Sequence, residues 1–303
     1  MKAVVQSYRT GAVALKDVPA PRCPANGVLV RNVASLVSVG TERSMIELGR
    51  KSLLGKARAR PDLLKRALDK GAREGYWKVF KESLARLDMP VALGYSCAGE
   101  VVEAGVGATG FSPGQRVACV GHPYASHAEY VSVPANLVCV IPDGVSYEDA
   151  SFSMLGAIAM HGVRSTNLAL GGTVVVIGLG LLGILAMQIL RSYGCQVIGL
   201  DTDSAKIDIC RGLGMSRVAS NYDDLRALVD QATDSLGADA VIIAAATKSP
   251  EPVHQAVSLC RERGRVVVLG VADIHPDRNE MWKKEIEIVV SRAGGLGALD
   301  PLY

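Results

Sequence analysis

One stretch constrains this chain more than any other: Gly178-Leu179-Gly180-Leu181-Leu182-Gly183. It follows an apolar β-branched run, Thr173 to Ile177, and opens an apolar helical stretch from Ile184 to Leu190. A second strand-like run, Gln196 to Leu200, ends at Asp201. A G-x-G-x-x-G alone is weak evidence. Strand, glycine turn, helix, strand and a terminal acid about 20 residues on is the pattern that cradles a dinucleotide. Gly178 permits the tight turn, Gly180 lets the backbone approach a pyrophosphate, and Gly183 lets the helix pack close to the strand. The free N–H groups at the helix start, on Leu181, Leu182 and Gly183, attract phosphate. Asp201 can accept both ribose hydroxyls and repels a 2′-phosphate, which predicts NAD rather than NADP. Lys206, five residues later, flanks the same ribose.

Leu168 to Leu190 also reads as 23 uncharged residues, long enough for a transmembrane helix. Four β-branched valines or isoleucine before the helix and five glycines, three of them in the cofactor pattern, argue against a span. Nor does a basic-apolar-small leader open the chain, so a cytoplasmic protein is expected. With 303 residues, 49% of them hydrophobic, the chain has room for two domains and a sizeable core. The net charge of +3 does not itself imply a nucleic-acid partner, and no nucleic-acid-reading motif is present. Seven cysteines, an odd number with no C-x-x-C, argue against a disulfide framework or zinc ribbon and read as scattered buried thiols.

Residues 1–150 carry short β runs punctuated by Pro and Gly. Strands are expected at Val28–Val30, Gly99–Glu103, Arg116–Val120 and Ala128–Val133. From residue 151 the pattern changes to alternating helix and strand. Helices are expected at Leu155–Val163, Ser204–Gly212, Tyr222–Leu236 and Pro250–Glu262. Strands are expected at Arg217–Ala219, Ala238–Ala246, Arg265–Val271 and Ile286–Ser291. Repeated βα units predict a parallel sheet with helices on both faces. Ligands lie at the carboxyl ends of such strands, which places Thr247, Gly270 and Val271 along the cofactor path. The segment Gly49 to Asp88 differs: it holds twelve Lys or Arg against five Asp or Glu. Leu63, Leu64, Ala67 and Leu68 fit one helix face, and Tyr76, Phe80, Leu84 and Leu87 another. Its basic side is a solvated face, a rim attracting an anionic substrate such as a sugar phosphate or nucleotide sugar, or a docking surface for another domain or subunit.

A β-rich domain before a mid-chain dinucleotide fold resembles the medium-chain dehydrogenase/reductase superfamily. Local motifs agree along the chain. Gly40-Thr41-Glu42 resembles the family's G-T-D, and Leu93-Gly94-Tyr95-Ser96 with Ala98 to Val102 resembles its L-G-H-E…G-x-V. Phe111-x-x-Gly114-x-Arg116-Val117 resembles its F-x-x-G-D-R-V. The resemblance implies an α/β protein: a GroES-like β-barrel domain over 1–150 with a basic helical insertion at 48–90, and a Rossmann doubly wound sheet over 151–292. Residues 293–303 would then begin a truncated return to the first domain, so the expectation is either part of a longer protein or a tail that was lost. Ser35 to Arg43 and Ser52 to Arg58 are similar to zinc-less modules of bacterial polysaccharide and glycoside gene clusters, often fused to a second oxidoreductase module. Ser38-Val39-Gly40-Thr41-Glu42-Arg43 also resembles a run of bacteriochlorophyllide dehydrogenase. Homodimers are common among such relatives.

Zinc-dependent relatives hold catalytic zinc with a Cys before G-T-D, the His of G-H-E and a later Cys or Glu. Here those positions read Val39, Tyr95 and the apolar Ser153-Met154-Leu155-Gly156. Catalytic zinc needs about three N, S or O protein ligands, so no zinc is expected. His122 and His127 are read as surface loop residues, and His161 as a satisfied core histidine. Without zinc the hydroxyl proton needs another handler. Thr41 matches the position where relatives place a relay hydroxyl. Tyr95 either directs its phenol at the chemistry or fills the volume left by the metal. As a base it needs a cationic neighbour; Arg43 and Lys56 are candidates. The resulting expectation is an NAD-dependent, zinc-independent dehydrogenase acting on a secondary alcohol or ketone of a sugar-like or glycosylated small molecule. A quinone- or enoyl-type reductase and a non-catalytic NAD-binding module are the alternatives.

Overall fold

The computed structural model describes residues 1–52 and 89–295, together with residues 55, 56, 58, 65, 69, 70, 72, 73, 75, 77, 81 and 297. The chain divides after Met154 into two compact units.

The first unit is built from antiparallel strands. They are β1 (Lys2–Ser7), β2 (Val13–Asp17), β3 (Gly27–Ser35), β4 (Pro90–Ala92), β5 (Ser96–Ala104), β6 (Arg116–Val120), β7 (Tyr130–Pro134) and β8 (Val138–Val140). Helix α1 (Val39–Arg50) follows β3, and a single turn, α2 (Tyr147–Ala150), follows β8. A five-stranded sheet runs β7-β3-β5-β6-β8 and a three-stranded sheet β2-β1-β4. Side chains alternate across a strand. Val28 and Val30, Cys97 and Val101, Val117 and Cys119, and Val131 and Val133 accordingly point to one core.

The second unit begins with α3 (Ser153–Ser165), which overlaps the division. Then come β9 (Thr173–Ile177), α4 (Leu181–Ser192), β10 (Gln196–Leu200), α5 (Ser204–Gly212), β11 (Val218–Ala219) and α6 (Tyr222–Thr233). They are followed by β12 (Ala238–Ile243), α7 (Glu251–Leu259), β13 (Cys260–Val268), α8 (Arg278–Lys284) and β14 (Glu287–Val290). All six strands are parallel, in the order β11-β10-β9-β12-β13-β14. Connections leave β9 in opposite directions along the sheet, the doubly wound arrangement whose crevice lies at the carboxyl ends of β9 and β12. Continuous apolar strands are what such a sheet requires, because both faces are covered. Val174, Val176, Ala240 and Ile242 pack against Ala186, Met187 and Leu190 of α4 and Ile207 of α5. Val175, Ile177, Val241 and Ile243 pack against Leu225 and Val229 of α6 and Val253 and Val257 of α7. The uncharged stretch Leu168–Leu190 is thus a turn, a buried strand, a glycine turn and most of a helix. No helix among the described residues is long and apolar enough to cross a membrane.

Several boundaries differ from expectation for identifiable reasons. The β run at Ala128 starts as a ladder only at Tyr130, because Ala128 pairs instead with Ala3. Gly40-Thr41-Glu42 is helical, although helix was expected only from residue 48. The Glu42 carboxylate accepts the Ser38 N–H at 2.8 Å and closes the first turn of α1. Strand β2 is exposed at every position and so lacks the alternating signature that identifies a strand. Helix α6 stops at Thr233, where Asp234 turns left-handed (φ 49°). Helix α7 stops at Leu259, three residues short of expectation, and β13 starts at once. Lys284 Nζ donates to the carbonyls of Val257, Ser258 and Cys260 at 3.3, 2.7 and 2.8 Å, capping α7 from a distant helix. Five of the seven cysteines are buried; Cys23 is half-buried and Cys139 exposed. The helix faces expected on Leu63, Leu64, Ala67, Leu68, Tyr76, Phe80, Leu84 and Leu87 lie outside the described residues, as do Leu296 and 298–303 of the tail.

Ile242 lies in the middle of the parallel sheet, fully buried and opposite Val176. Truncation to alanine leaves a cavity between sheet and helices, and Ile242→Ala is expected to cost about 2–5 kcal/mol. Urea denaturation measures it.

Candidate functional site

The second unit carries the cradle. Gly178 follows β9 with φ +96°, and a Cβ there would lie 2.6 Å from the Ala245 nitrogen. A Cβ on Gly183 would sit 1.9 Å from the Gly178 carbonyl oxygen. Both positions admit only glycine, one by backbone conformation and crowding, the other by the closeness of helix to turn. Gly180 is different. It is the N-cap of α4, makes no side-chain cap bond, and has φ −71°. A Cβ there would meet nothing within 4 Å. The side of the turn where a phosphate would approach is therefore open, with the first N–H groups of α4, on Leu181, Leu182 and Gly183, at the helix start.

Asp201 closes the cradle at the end of β10. Its side chain is only 9% exposed. It accepts the Leu179 N–H at 2.8 Å and the Asp203 N–H at 3.0 Å, while Lys206 Nζ lies 3.3 Å from both carboxylate oxygens. The carboxylate is thereby aimed and its charge partly balanced before any ligand arrives. Thr247 and Val271 lie just past the ends of β12 and β13, not within them. They are linked by the Thr247 N–H to Val271 carbonyl bond at 2.7 Å and by a bridge between Ala246 and Val271. Gly270 runs so close to β12 that a Cβ would lie 2.2 Å from the Ala245 carbonyl oxygen. All the expected cofactor positions thus gather at the carboxyl edge of one sheet.

In the first unit the structure brings Thr41 and Tyr95 together. The Tyr95 hydroxyl lies 3.5 Å from Thr41 Oγ1, the long limit of a hydrogen bond. Thr41 is exposed and Tyr95 half-buried. Neither proposed cation joins them. Arg43 is held by Glu47 at 2.8 Å, and Lys56 Nζ donates to the Arg9 carbonyl at 3.0 Å. Beneath the pair lies a group that sequence reasoning misplaced. His122 is exposed as expected, but His127 is not a surface residue: its side chain is 9% exposed and that of Glu42 8%. His127 Nε2 lies 3.2 and 3.3 Å from the two Glu42 oxygens, and Nδ1 lies 2.8 Å from Ser35 Oγ. His161 is half-buried on α3 rather than in the core, and burial holds its pKa below the usual imidazole value. Glu42 stood in a recognised motif without a role, and its partner lies 85 residues on. No local signal announces such a pair.

The donor set at the position of a catalytic zinc does not fit that metal. Val39 is apolar and 71% exposed, Tyr95 supplies a phenol, and the Glu42 carboxylate is committed to His127 and the Ser38 N–H. Among the described residues no three His, Cys, Asp or Glu side chains come together in a group that could hold a metal ion.

Comparison with known proteins agrees with the fold. Residues 69–143 match the family model of the alcohol dehydrogenase GroES-like domain, and residues 182–300 that of the zinc-binding dehydrogenases. A sorbitol dehydrogenase of Halalkalibacterium halodurans is 29% identical over 67% of this chain and 68% of its own length. Galactitol-1-phosphate dehydrogenase from Escherichia coli superposes with a TM-score of 0.73 at 18% identity, over 97% of this chain and 83% of that one. A zinc-binding dehydrogenase from Sinorhizobium meliloti, bound to NADP, does so with a TM-score of 0.71 at 21% identity, over 98% and 88%. The chain belongs to the medium-chain dehydrogenase/reductase superfamily, NAD(P)-dependent oxidoreductases acting on CH–OH groups.

Gly180 separates folding from binding. Its backbone suits any residue and its Cβ would have room, so Gly180→Ala is expected to leave the thermal midpoint within a few degrees. The added methyl occupies the phosphate side of the turn, and NADH affinity, read by fluorescence titration, is expected to fall at least about tenfold, or roughly 1.4 kcal/mol.

Proposed function

We propose that this protein is an NAD-preferring, zinc-independent dehydrogenase that interconverts a secondary alcohol and a ketone on a sugar-like substrate. The observation that carries the reading is the pairing of Tyr95 with Thr41 where metal ligands would be needed. The nicotinamide of a bound dinucleotide supplies or takes the hydride. The chain's own residues hold that dinucleotide and handle the proton. Gly180 and the start of α4 receive the pyrophosphate. Asp201 accepts the adenosine ribose hydroxyls; a 2′-phosphate would bring a second negative charge against its carboxylate, and Lys206 is already engaged there. Thr247, Gly270 and Val271 line the path at the sheet edge.

In the first unit the Tyr95 hydroxyl serves as proton donor to a ketone or acceptor from an alcohol. Thr41 Oγ1 passes the proton or holds the phenol in place. General acid–base work of this kind contributes about 10²–10⁴-fold. The sugar-like substrate is supported by the polyol and polyol-phosphate dehydrogenases among the similar proteins. Attraction of an anionic substrate, or docking of a fused or partner oxidoreductase domain, is supported by the basic composition of residues 49–88. A cytoplasmic location is supported by seven free cysteines.

The reading has three checks. NADH is expected to bind at least tenfold more tightly than NADPH, and Asp201→Ala to narrow that ratio; tight NADPH binding with NADH excluded would overturn the assignment. Purified protein is expected to hold far less than one zinc per chain by elemental analysis. In a screen of polyols, nucleotide sugars and enones, Tyr95→Phe is expected to lower turnover about 10²-fold, and unchanged turnover removes Tyr95 from the mechanism. NADH binding with no turnover on any class favours a non-catalytic module.

A further inference from the structure

Thr41 and Tyr95 stand on different elements, one in the first turn of α1 and the other just before β5. Their hydroxyls meet at 3.5 Å, so something must set the distance between those segments. His127 touches both. Its Nε2 reaches the Glu42 carboxylate, and Glu42 is the residue after Thr41 and the one that ties down the Ser38 N–H. Its ring lies against the backbone of Gly94, the residue before Tyr95: a Cβ on Gly94 would come within 2.9 Å of the imidazole. Gly94 also has φ +91°, so glycine there serves both the turn and the close approach of the ring.

His127 is itself fixed on every side. Its N–H donates to the Leu93 carbonyl at 2.8 Å, and its carbonyl accepts the Val4 N–H at 2.8 Å. Asn32 Nδ2 donates to the carbonyls of Ser126 and Ala128, on either side of it, at 3.3 and 3.1 Å. Ser35 Oγ holds Nδ1 at 2.8 Å. A buried imidazole so constrained, linking a buried carboxylate to the approach to β5, is costly to assemble. We propose that His127 is the positioning residue of the site: through Glu42 on one side and Gly94 on the other it sets the separation of the Thr41 and Tyr95 hydroxyls. This rests on the reading of those two residues as the proton-handling pair.

The test must cut the link without stranding a buried charge. The double substitution Glu42→Gln with His127→Phe does so. The amide still accepts the Ser38 N–H, the ring still underlies Gly94, and no carboxylate is left unpaired. With 3-fluorotyrosine at position 95 of the full chain, the fluorine resonance reports the surroundings of the phenol. Thr41→Val defines the shift caused by losing its neighbour. The double variant is expected to fold, to bind NADH with unchanged affinity and to reproduce the Thr41→Val shift. Its turnover of sorbitol with NAD, or of the polyol selected by screening, is expected to fall at least about tenfold in kcat with little change in KM, as a misplacement near 1 Å would cause. Glu42→Gln alone keeps a hydrogen bond to His127 and is expected to restore the resonance and to lose no more than about threefold in kcat. A folded double variant whose resonance stays at the wild-type position overturns the proposal, as does a Glu42→Gln variant that shifts as far as the double. Turnover that survives Tyr95→Phe defeats the functional reading instead, so the two failures are distinguishable.

Discussion

The second unit depends on one steric constraint: the distance between the turn after β9 and the helix it starts. The position of a Cβ on Gly183 falls 1.9 Å from the Gly178 carbonyl, so α4 can lie on the sheet only because neither residue carries a side chain. That closeness brings Ala186, Met187 and Leu190 onto Val174, Val176 and Ile242. It also leaves the N-terminal amides of α4 facing outward past Gly180, where nothing fills the space. Packing of the core and the capacity to receive a phosphate are consequences of the same absence of side chains. Asp201 then follows from the parallel register. Pairing of β10 with β9 carries Leu200 to the level of Ile177, which sets the next residue's carboxylate within 2.8 Å of the Leu179 N–H.

The first unit solves a different problem. Its apolar core is conventional, with alternating valines and thiols from four strands. Above it lies a polar assembly that a hydrophobic core does not need: Ser35, Glu42 and His127, pinned by Asn32 and the Leu93 carbonyl. Polar groups are buried when hydrogen-bonded, and Ser35, Glu42 and His127 are joined to one another in this way. The assembly adjoins Thr41 and Gly94, and it commits the Glu42 carboxylate to an imidazole. The apolar Val39, the phenol of Tyr95 and the committed Glu42 support the proposed hydroxyl-based chemistry.

Much of this was legible in the sequence. Strands β9 and β10 and helix α5 fall where their patterns placed them, because buried parallel strands are continuous apolar runs and Asp203 caps α5 locally. The glycines of the turn and Asp201 were legible for the same reason: their spacing is a local property. The approach of Thr41 to Tyr95 followed from motif positions. What escaped was set by partners far along the chain. Helix α7 carries no stop signal of its own after Leu259; Lys284 supplies it. Strand β2 is exposed throughout and pairs with β1 only by virtue of the chain's return. His127, on a turn rich in polar residues, reads as surface until strand pairing draws it beneath Gly94.

By itself, then, the sequence determined the alternation of strands and helices after residue 151, the glycine turn and the acid at the end of β10, because periodicity and glycine spacing act over a few residues. Tertiary structure alone decided that Glu42 and His127 are buried together beneath Tyr95. Burial of a charge depends on where its partner ends up, and that partner, 85 residues away, arrives only when the antiparallel sheets have formed.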